Sequence, residues 1–348
     1  MAPLKLPVID LSLKNINPTS NSWITKCDEV TGALEEHGCF IAMYDGVSQE
    51  LEDRIFLASQ ELFNLPTEVK VLNTSDIDTP YDGYVGQIPV MPLYESLGIE
   101  NATTTEGAEK FTKLMWPSGN ESFCTSVLMY SKAVAELDQI VMRMVAKSYG
   151  IEEHCESLLR STVFVLRLNK YLCPNGKEEN SLGIIPHTDK SVMTILHQKQ
   201  VKGLQIETKD GQWIEVDPLP SSFIVMAGDA CMAWTNGRIE APNHKVIMEG
   251  NQERISLGLF TFIKGLKIEI PKKLIDEDNI QRFKEFDHIK YIHYIRYTNE
   301  GKTSKCPIKS YCTAELLKTS FLCLIDFSYN GSKAEVKLSI KVPEVALP

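Results

Sequence analysis

A change in the spacing of apolar residues near residue 163 constrains the fold of this chain more than any other feature. Apolar side chains alternate in part over residues 164–172, and short β-rich runs recur as far as residue 263. Side chains that alternate between two faces are typical of β-strands. Turn residues separate several of these runs, as at Gly211, Gly228-Asp229 and Asn236-Gly237. Short, regularly spaced strands with such turns predict a β-sandwich, a jelly roll or a barrel.

The part of the chain before this change favours helices. Over residues 127–144 the apolar residues step by three and four positions, which is the spacing of a buried helical stripe, and Gly150 follows as a stop signal. Further helices are predicted from Ser22 to Gly38 and over residues 48–63, with strands at 6–11 and 39–43. We therefore expect an α+β protein that has an α/β N-terminal region, flanking helices and a β-rich core.

Residues 67–118 are predicted to be irregular, because proline and glycine recur there together with aromatic residues that include Tyr84 and Tyr94. One interpretation is a surface loop that is anchored by its aromatic side chains. The other is a segment that lines or covers a ligand pocket, since long loops in compact domains often act as lids.

Composition excludes several classes of function and location. A formal net charge of -10 and a pI near 5.3 argue against nucleic acid or an anionic membrane as the main partner. The nine cysteines are odd in number and form no C-x-x-C pair, which indicates reduced thiols rather than disulfides or a zinc ribbon. No signal-peptide pattern is present, and no apolar run approaches the roughly 20 residues of a membrane span. We expect a cytoplasmic protein.

A candidate metal site lies in the β-rich part. Residues i and i+2 of a strand face the same way, so His187 and Asp189 can offer an imidazole and a carboxylate to one ion. His244 would have to join them from another strand. Two histidines and one carboxylate leave three positions of an octahedral metal open, as in non-haem Fe(II) oxygenases. A structural zinc site would be closed and usually richer in cysteine.

Each of these signals is weak by itself. With seven histidines in the chain, a chance H-x-D arises in roughly a third of comparable sequences, and a lone histidine such as His244 is more often a hydrogen-bonded core residue. The only H-x-D and the only R-x-S of the chain, however, fall in one β-rich region with His244 between them. That coincidence supports the metal hypothesis.

Arg254 and Ser256 form the R-x-S motif and share one face of a predicted strand. A guanidinium binds a carboxylate through two hydrogen bonds, and a hydroxyl adds another donor. A surface salt bridge is the alternative for an isolated arginine. Within an apolar strand, however, a buried arginine needs a buried acidic partner, which a bound dicarboxylate would supply.

With these motifs the sequence resembles the plant 2-oxoglutarate- and Fe(II)-dependent dioxygenases from Leu6 to about Cys312. It is most similar to their AOP-type branch, which is best known for oxidising glucosinolate side chains. The stretches that carry the resemblance are Leu6-Pro-Val-Ile-Asp-Leu11, Glu36-His-Gly-Cys-Phe40, Pro80-Tyr-Asp-Gly-Tyr84, Leu93-Tyr-Glu-Ser-Leu-Gly98, His187-Thr-Asp-Lys190, Thr194-Ile-Leu-His197, Asn236-Gly-Arg238, His244-Lys-Val246 and Arg254-Ile-Ser256.

The resemblance implies a jelly-roll (double-stranded β-helix) catalytic core and a role for each matching residue. His187, Asp189 and His244 would be the catalytic iron ligands, and Arg254 with Ser256 would bind the distal carboxylate of 2-oxoglutarate. Further 2-oxoglutarate contacts would be Tyr171 and Asn169, and pocket walls would be Tyr84, Tyr94 and Phe260. Lys170 and Lys245 depart from the family pattern, where an aromatic residue and an arginine are common, but neither belongs to the ligand set.

The implied reaction oxidises a small-molecule specialised metabolite with Fe(II), 2-oxoglutarate and O₂, releases succinate and CO₂, and is helped in vitro by ascorbate. Hydroxylation, desaturation and ring formation stay open, as do glucosinolate, terpenoid, steroid and alkaloid substrates. Two other classes also remain: a same-fold Fe(II) oxidase that does not use 2-oxoglutarate, and a catalytically silent small-molecule binding protein. We expect a monomer with no nucleic-acid or membrane partner.

The sequence suggests four regions. Residues 1–118 would form the N-terminal dioxygenase region with its loop, 119–160 the helices that pack on the core, and 161–312 the jelly-roll domain. Residues 313–348 extend beyond the point where homologues of this kind end, and they could form either a hairpin or an unstructured extension.

Overall fold

A seven-stranded sheet and a four-stranded sheet form the core of a computed structural model that describes residues 5–20, 22–75, 83–174 and 181–312. In spatial order, the large sheet contains β1 (Val8–Asp10), β2 (Cys39–Met43), β9 (Ser222–Ala227), β6 (Met193–Gln198), β11 (Arg254–Ile263), β4 (Thr162–Tyr171) and β3 (Tyr94–Glu100). The small sheet contains β5 (Ser181–His187), β10 (His244–Met248), β7 (Leu204–Glu207) and β8 (Trp213–Glu215). Apart from the parallel pair β1–β2, the strand pairs of both sheets are antiparallel.

A second hydrophobic core forms where the two sheets pack together. Ile224 and Met226 of β9 and Leu196 of β6 meet Leu204 and Ile206 of β7 in one buried cluster. Two packed antiparallel sheets with flanking helices confirm the predicted α+β jelly-roll fold. The two-stranded ribbon β12 (Lys267–Ile268) and β13 (Phe286–Asp287) follows the large sheet in the chain.

The described ranges contain nine α-helices, and most of their buried apolar residues fill the core on the other face of the large sheet. They are α1 (Ser22–His37), α2 (Gln49–Phe63), α3 (Thr67–Lys70), α4 (Thr105–Met115), α5 (Glu121–Tyr149), α6 (Glu152–Arg160), α7 (Asp229–Trp234), α8 (His288–Tyr297) and α9 (Asn299–Thr303). None of the helices in the described ranges is long and apolar enough to cross a membrane.

The long helix α5 follows directly from its sequence. The Asn120 side chain accepts a hydrogen bond from the Phe123 amide at the N-terminus, and the predicted apolar stripe from Val127 to Met144 is buried. At the C-terminus Gly150 adopts the left-handed conformation, with φ of 66°, that closes many helices. Helix α5 lies along β11 and β6, so its buried stripe becomes part of the main core.

Strand β11 separates the helical core from the space between the sheets. Leu257, Leu259 and Ile263 point into the helical core, whereas Arg254 and Ser256 point the other way into a cavity. This is the two-residue alternation of a strand. One face of β11 therefore packs in the helical core, and the other face lines the cavity.

Two parts of the structure differ from the sequence-based predictions. Residues 67–118 are not irregular throughout, because they contain α3, β3 and α4. Strand β3 pairs with β4 from Tyr94↔Tyr171 to Glu100↔Val165, a partnership with a distant segment that no local pattern reveals. Gly228-Asp229, predicted as a turn, begins helix α7. The C-terminal extension, residues 313–348, lies outside the described residues.

Candidate active site

Strands β5 and β10 bring the three predicted metal-binding residues together. His187 ends β5, His244 begins β10, and the two are register partners in the small sheet. Asp189 Oδ1 lies 3.7 Å from the Nε2 atom of each histidine. The donor atoms of the three residues all lie within 4.8 Å of one another. Two strands of the small sheet supply the imidazoles and the loop after β5 supplies the Asp189 carboxylate, so the three groups meet at a single point.

Backbone carbonyls fix the orientation of both imidazole rings. His187 Nδ1 lies 2.8 Å from the Ile185 carbonyl, and His244 Nδ1 lies 3.2 Å from the Pro242 carbonyl. A carbonyl only accepts, so each Nδ1 carries the proton and each Nε2 keeps its lone pair for the cluster. Burial, and then the neighbouring His244, lower the pKa of His187 below its usual value, which favours the neutral ring.

Asp189 supplies an observation that fits a cation. Its side chain is buried, and its Oδ2 atom has no hydrogen-bond partner among the described residues. A buried carboxylate oxygen without a partner is costly, and a metal ion would satisfy it. The donor set of two imidazoles and one carboxylate suits Fe(II) and leaves positions open, so the residues present fit this metal.

Arg254 forms a second charged group in the same cavity. Its side chain is 1% exposed, and its guanidinium donates to Ser256 Oγ at 3.1 Å and to Gln198 Oε1 at 2.8 Å. Its Nε atom has no partner, and no carboxylate of the described residues forms an ion pair with it. Burial lowers the pKa of Arg254, which is the effect of desolvating a charge that lacks a counter-ion.

Strand β4 adds two more of the predicted residues. Tyr171 lies opposite Arg254 and Asn169 lies opposite Ser256 in the β4–β11 register. The Arg254 guanidinium lies 5.0 Å from the centre of the Tyr171 ring. Asn169 Nδ2 donates to the Ser256 carbonyl at 3.5 Å, and its Oδ1 accepts from the Tyr94 hydroxyl at 2.9 Å. Asn169 thus already has protein partners, which favours a supporting role for its side chain.

A cavity of about 510 Å³ contains all of these groups. Its walls include the ten residues singled out from the sequence: His187, Asp189, His244, Arg254, Ser256, Tyr171, Asn169, Tyr84, Tyr94 and Phe260. Most of the remaining wall is apolar. Tyr84 is held in place by its hydroxyl, which donates to Glu95 Oε1 at 2.9 Å.

A polar network behind the H-x-D segment was not anticipated from the sequence. Lys190 Nζ lies 2.8 Å from Asp229 Oδ2, which also accepts from the Tyr291 hydroxyl at 2.5 Å. The Asp229 amide donates to the Asp189 carbonyl at 2.8 Å, and His288 Nε2 lies 2.7 Å from the Lys190 carbonyl. Helices α7 and α8 therefore hold the loop that follows His187.

Gln198 was also missed. It is 3% exposed at the end of β6 and contacts Arg254 directly. The available signal was a polar residue directly after the stretch Thr194-Ile-Leu-His197, in the part of the chain predicted to be β-rich.

Two family models match separate parts of the chain. The model of the 2OG-Fe(II) oxygenase superfamily matches residues 163–263, the part that contains the histidine–aspartate cluster and Arg254. The model described as the N-terminal region of non-haem dioxygenases in morphine synthesis matches residues 6–103.

Two similar proteins from Arabidopsis thaliana align with most of this chain and with nearly their own full length. The probable 2-oxoglutarate-dependent dioxygenase AOP1.2 is 40% identical over 313 residues, which cover 88% of this chain and 95% of that protein. The 2-oxoglutarate-dependent dioxygenase AOP3 is 31% identical over 405 aligned residues, which cover 88% of this chain and 97% of that protein.

Two solved structures share the fold. The 2-oxoglutarate binary complex of AtDAO1, the dioxygenase for auxin oxidation 1 from Arabidopsis thaliana, has a TM-score of 0.71 and 27% identity, and covers 79% of this chain and 100% of that one. JOX2 in complex with 2OG, Fe and JA has a TM-score of 0.73 and 25% identity, and covers 88% of this chain and 89% of that one.

Proposed function

The chain belongs to the 2-oxoglutarate- and Fe(II)-dependent oxygenase superfamily, among the AOP-type dioxygenases, and from this membership we propose which residues carry its reaction. The protein is an oxidoreductase that uses Fe(II), 2-oxoglutarate and O₂ on a small-molecule substrate. Bound Fe(II) and 2-oxoglutarate supply the oxidative chemistry, in which 2-oxoglutarate is converted to succinate and CO₂ while the substrate is oxidised.

We assign iron binding to His187, Asp189 and His244. Two observations support this role: Asp189 Oδ1 lies 3.7 Å from both Nε2 atoms, and Asp189 Oδ2 is buried without a hydrogen-bond partner among the described residues. The carbonyls of Ile185 and Pro242 hold each ring in the tautomer that a metal needs.

The observation that carries the proposal is the buried charge of Arg254. Burying a guanidinium that is 1% exposed and has only neutral partners costs free energy, and an anion bound beside it would offset that cost. The distal carboxylate of 2-oxoglutarate provides that anion, with Ser256 as a second donor. Burial also raises the pKa of the Tyr171 hydroxyl, so this group stays protonated and can donate a hydrogen bond. Asn169 supports the same end of the cavity through Tyr94 and Ser256.

We propose that the rest of the cavity holds a substrate with an apolar body and an acidic group. Val165, Phe260 and Phe262 supply apolar wall, and Arg167 and Arg296 add two cationic side chains. Arg167 of β4 lies opposite Gly258 of β11, four register positions from the Tyr171–Arg254 pair, which is about 13 Å at the usual rise of a strand. Arg167 also donates to Ser96 Oγ and the Gly83 carbonyl, and Arg296 donates to Ser75 Oγ.

One solved relative is named for auxin oxidation and another is in complex with JA. We extend the small-molecule class, and not those identities, to this protein. Tyr84, Tyr94 and Phe260 are proposed as walls that shape the pocket for the substrate. A substrate screen should include glucosinolates, terpenoids, steroids and alkaloids. Acidic and neutral members of each class should be compared, because the proposed substrate carries an acidic group.

We further propose a monomeric, cytoplasmic enzyme with the division 1–118, 119–160 and 161–312. One chain supplies every cavity wall residue named above, and the eight cysteines in the described ranges are free thiols, as a reducing compartment would keep them. Light scattering after gel filtration tests the monomer, and a mass above that of one chain would contradict it.

An anaerobic titration of the purified protein with Fe(II) and 2-oxoglutarate tests the function, followed by a substrate screen that reads succinate release. We expect 2-oxoglutarate binding that requires the metal, and succinate formed in proportion to oxidised substrate. Substrate oxidation without 2-oxoglutarate would instead favour the same-fold Fe(II) oxidase. Ligand binding without any oxidation, unchanged in His187→Ala, would favour the silent binding protein.

A further inference from the structure

Gln198 connects Arg254 to the protein through an amide whose orientation is fixed. Its Nε2 donates to the Val216 carbonyl at 3.0 Å, and its Oε1 accepts from Arg254 Nη2 at 2.8 Å. The carbonyl can only accept and the guanidinium can only donate, so the opposite orientation of the amide would break both bonds. Gln198 also lies opposite Ser256 in the β6–β11 register, and Ser256 is the second proposed donor to the distal carboxylate.

The neutrality of this partner matters for a buried charge. A glutamate side chain has nearly the same shape as glutamine, and at position 198 it would form an ion pair with Arg254. The guanidinium would then have its counter-ion within the protein. An incoming carboxylate would no longer meet an unpaired positive charge, and the glutamate carboxylate would repel it. The amide instead orients the guanidinium and leaves its charge uncompensated.

We propose that Gln198 is a specificity-determining residue for the co-substrate. It holds Arg254 in position as a neutral acceptor and thereby reserves its charge for the distal carboxylate of a five-carbon 2-oxo diacid. This inference rests on the proposed function, since it assumes that 2-oxoglutarate binds at Arg254. Gln198 acts through Arg254 and is therefore a positioning residue.

The test compares Gln198→Glu with Gln198→Met in the full chain, loaded anaerobically with Fe(II). Gln198→Met removes the acceptor without adding charge, and Gln200→Glu, an exposed position two residues away, controls for the charge change. We expect the 2-oxoglutarate dissociation constant to rise about 30-fold or more in Gln198→Glu and only a few-fold in Gln198→Met. Iron content and the Gln200→Glu values should match the wild type.

Selectivity gives a readout that a merely structural role would not change. The wild type should prefer 2-oxoglutarate strongly over 2-oxopentanoate, which lacks the distal carboxylate. In Gln198→Glu the ratio of the two dissociation constants should fall, because only 2-oxoglutarate has a distal carboxylate that depends on the charge of Arg254. A structural defect would weaken both 2-oxo acids equally.

Three outcomes are decisive. Wild-type binding of 2-oxoglutarate that Gln198→Glu retains within about threefold would overturn the inference and leave the proposed function intact. Equal losses in Gln198→Glu and Gln198→Met, with equal drops in melting temperature, would also overturn it, because charge would then not matter. Failure of the wild type itself to bind 2-oxoglutarate would instead contradict the proposed function.

Discussion

His187 and His244 are register partners on neighbouring antiparallel strands, and the centres of their imidazole rings lie 4.2 Å apart. Both rings turn Nε2 toward Asp189 Oδ1 at 3.7 Å. The small sheet therefore supplies the histidine pair by strand pairing alone, and the loop after β5 needs to add only the carboxylate. Loss of either ring should remove a donor that no nearby described side chain replaces.

Replacement of His244 by alanine should abolish stable iron binding and succinate formation. Two donors remain, which is too few to hold Fe(II) against dilution when the third position is open to water. Metal analysis after anaerobic loading and desalting measures the iron content, and an end-point assay measures succinate. The exposed His154→Ala on α6 is the matched control and should bind iron like the wild type. One iron per chain in His244→Ala would refute the ligand assignment.

Arg254→Met should separate stability from co-substrate binding. The variant loses the distal-carboxylate contact, so the 2-oxoglutarate dissociation constant should rise about 30-fold or more, which corresponds to about 2 kcal/mol. The same change removes a buried charge that has only neutral partners, so the melting temperature without ligand should stay unchanged or rise. Thermal unfolding with and without 2-oxoglutarate measures both effects.

Arg143→Met provides the comparison for this experiment. Arg143 forms an exposed ion pair with Glu156 on α6, which contributes about 0–1 kcal/mol. It should leave 2-oxoglutarate binding unchanged. If Arg254→Met instead lowered the melting temperature of the ligand-free protein as well as weakening 2-oxoglutarate binding, the buried guanidinium would stabilise the fold rather than bind the co-substrate.

Asp229→Asn should loosen the loop that carries Asp189. It removes the anion that pairs with Lys190, whose side chain is largely buried, and we expect a loss of about 2 kcal/mol or more in the free energy of unfolding. Iron affinity should fall about tenfold, as for other groups that orient metal ligands indirectly. Tyr291→Phe keeps the ion pair and removes one hydrogen bond, so its effects should be smaller in both measurements. Reduced stability with unchanged iron affinity would exclude the positioning role.

The sequence predicted those parts of the fold whose signal is local. The period of three to four residues located α5, and the alternation around Arg254 located β11, because each element carries its own apolar face. The spacing of His187 and Asp189 predicted that both would reach one ion from a single strand; their donor atoms do converge, but β5 ends at His187 and Asp189 lies in the loop that follows. The partnership of His187 with His244 could be expected only as a hypothesis, because it depends on strand pairing across 57 residues (244 − 187).

The missed features depend on contacts between distant segments. Strand β3 is specified by its pairing with β4 and not by its own pattern, which contains Gly98 and two glutamates. The network around Asp229 joins α7 to α8, and each of its residues is ordinary in its local context. The proposed role of Gln198 depends on its contact with Arg254, which lies 56 positions later in the chain. Such residues become visible when the fold places them together.

Asp138 is a buried carboxyl group outside the cavity, on the face of α5 that packs against β11. Its Oδ1 accepts from Thr261 Oγ1 at 2.7 Å, and its Oδ2 has no partner among the described residues. Burial raises its pKa to about 7, against a smaller opposing effect of the Thr261 hydrogen bond. The titratable groups that face it are the thiols of Cys155 on α6 and Cys231 on α7, whose pKa values burial raises to about 12. Both thiols stay neutral across the range in which Asp138 titrates.

Asp138→Asn should therefore stabilise the protein more at pH 8 than at pH 5. The pKa of Asp138 in the folded state, about 7, exceeds the ordinary value of 3.8, so the folded state binds the proton more tightly and the wild type loses stability as pH rises from about 4 to above 7. Asparagine has no such proton, and the difference in unfolding free energy between variant and wild type should grow by on the order of 2 kcal/mol from pH 5 to pH 8. Urea unfolding at four pH values measures it, with the exposed Asp278→Asn as the control that should show no such trend. A difference that is constant with pH would mean that Asp138 is already ionised in the folded protein at pH 5.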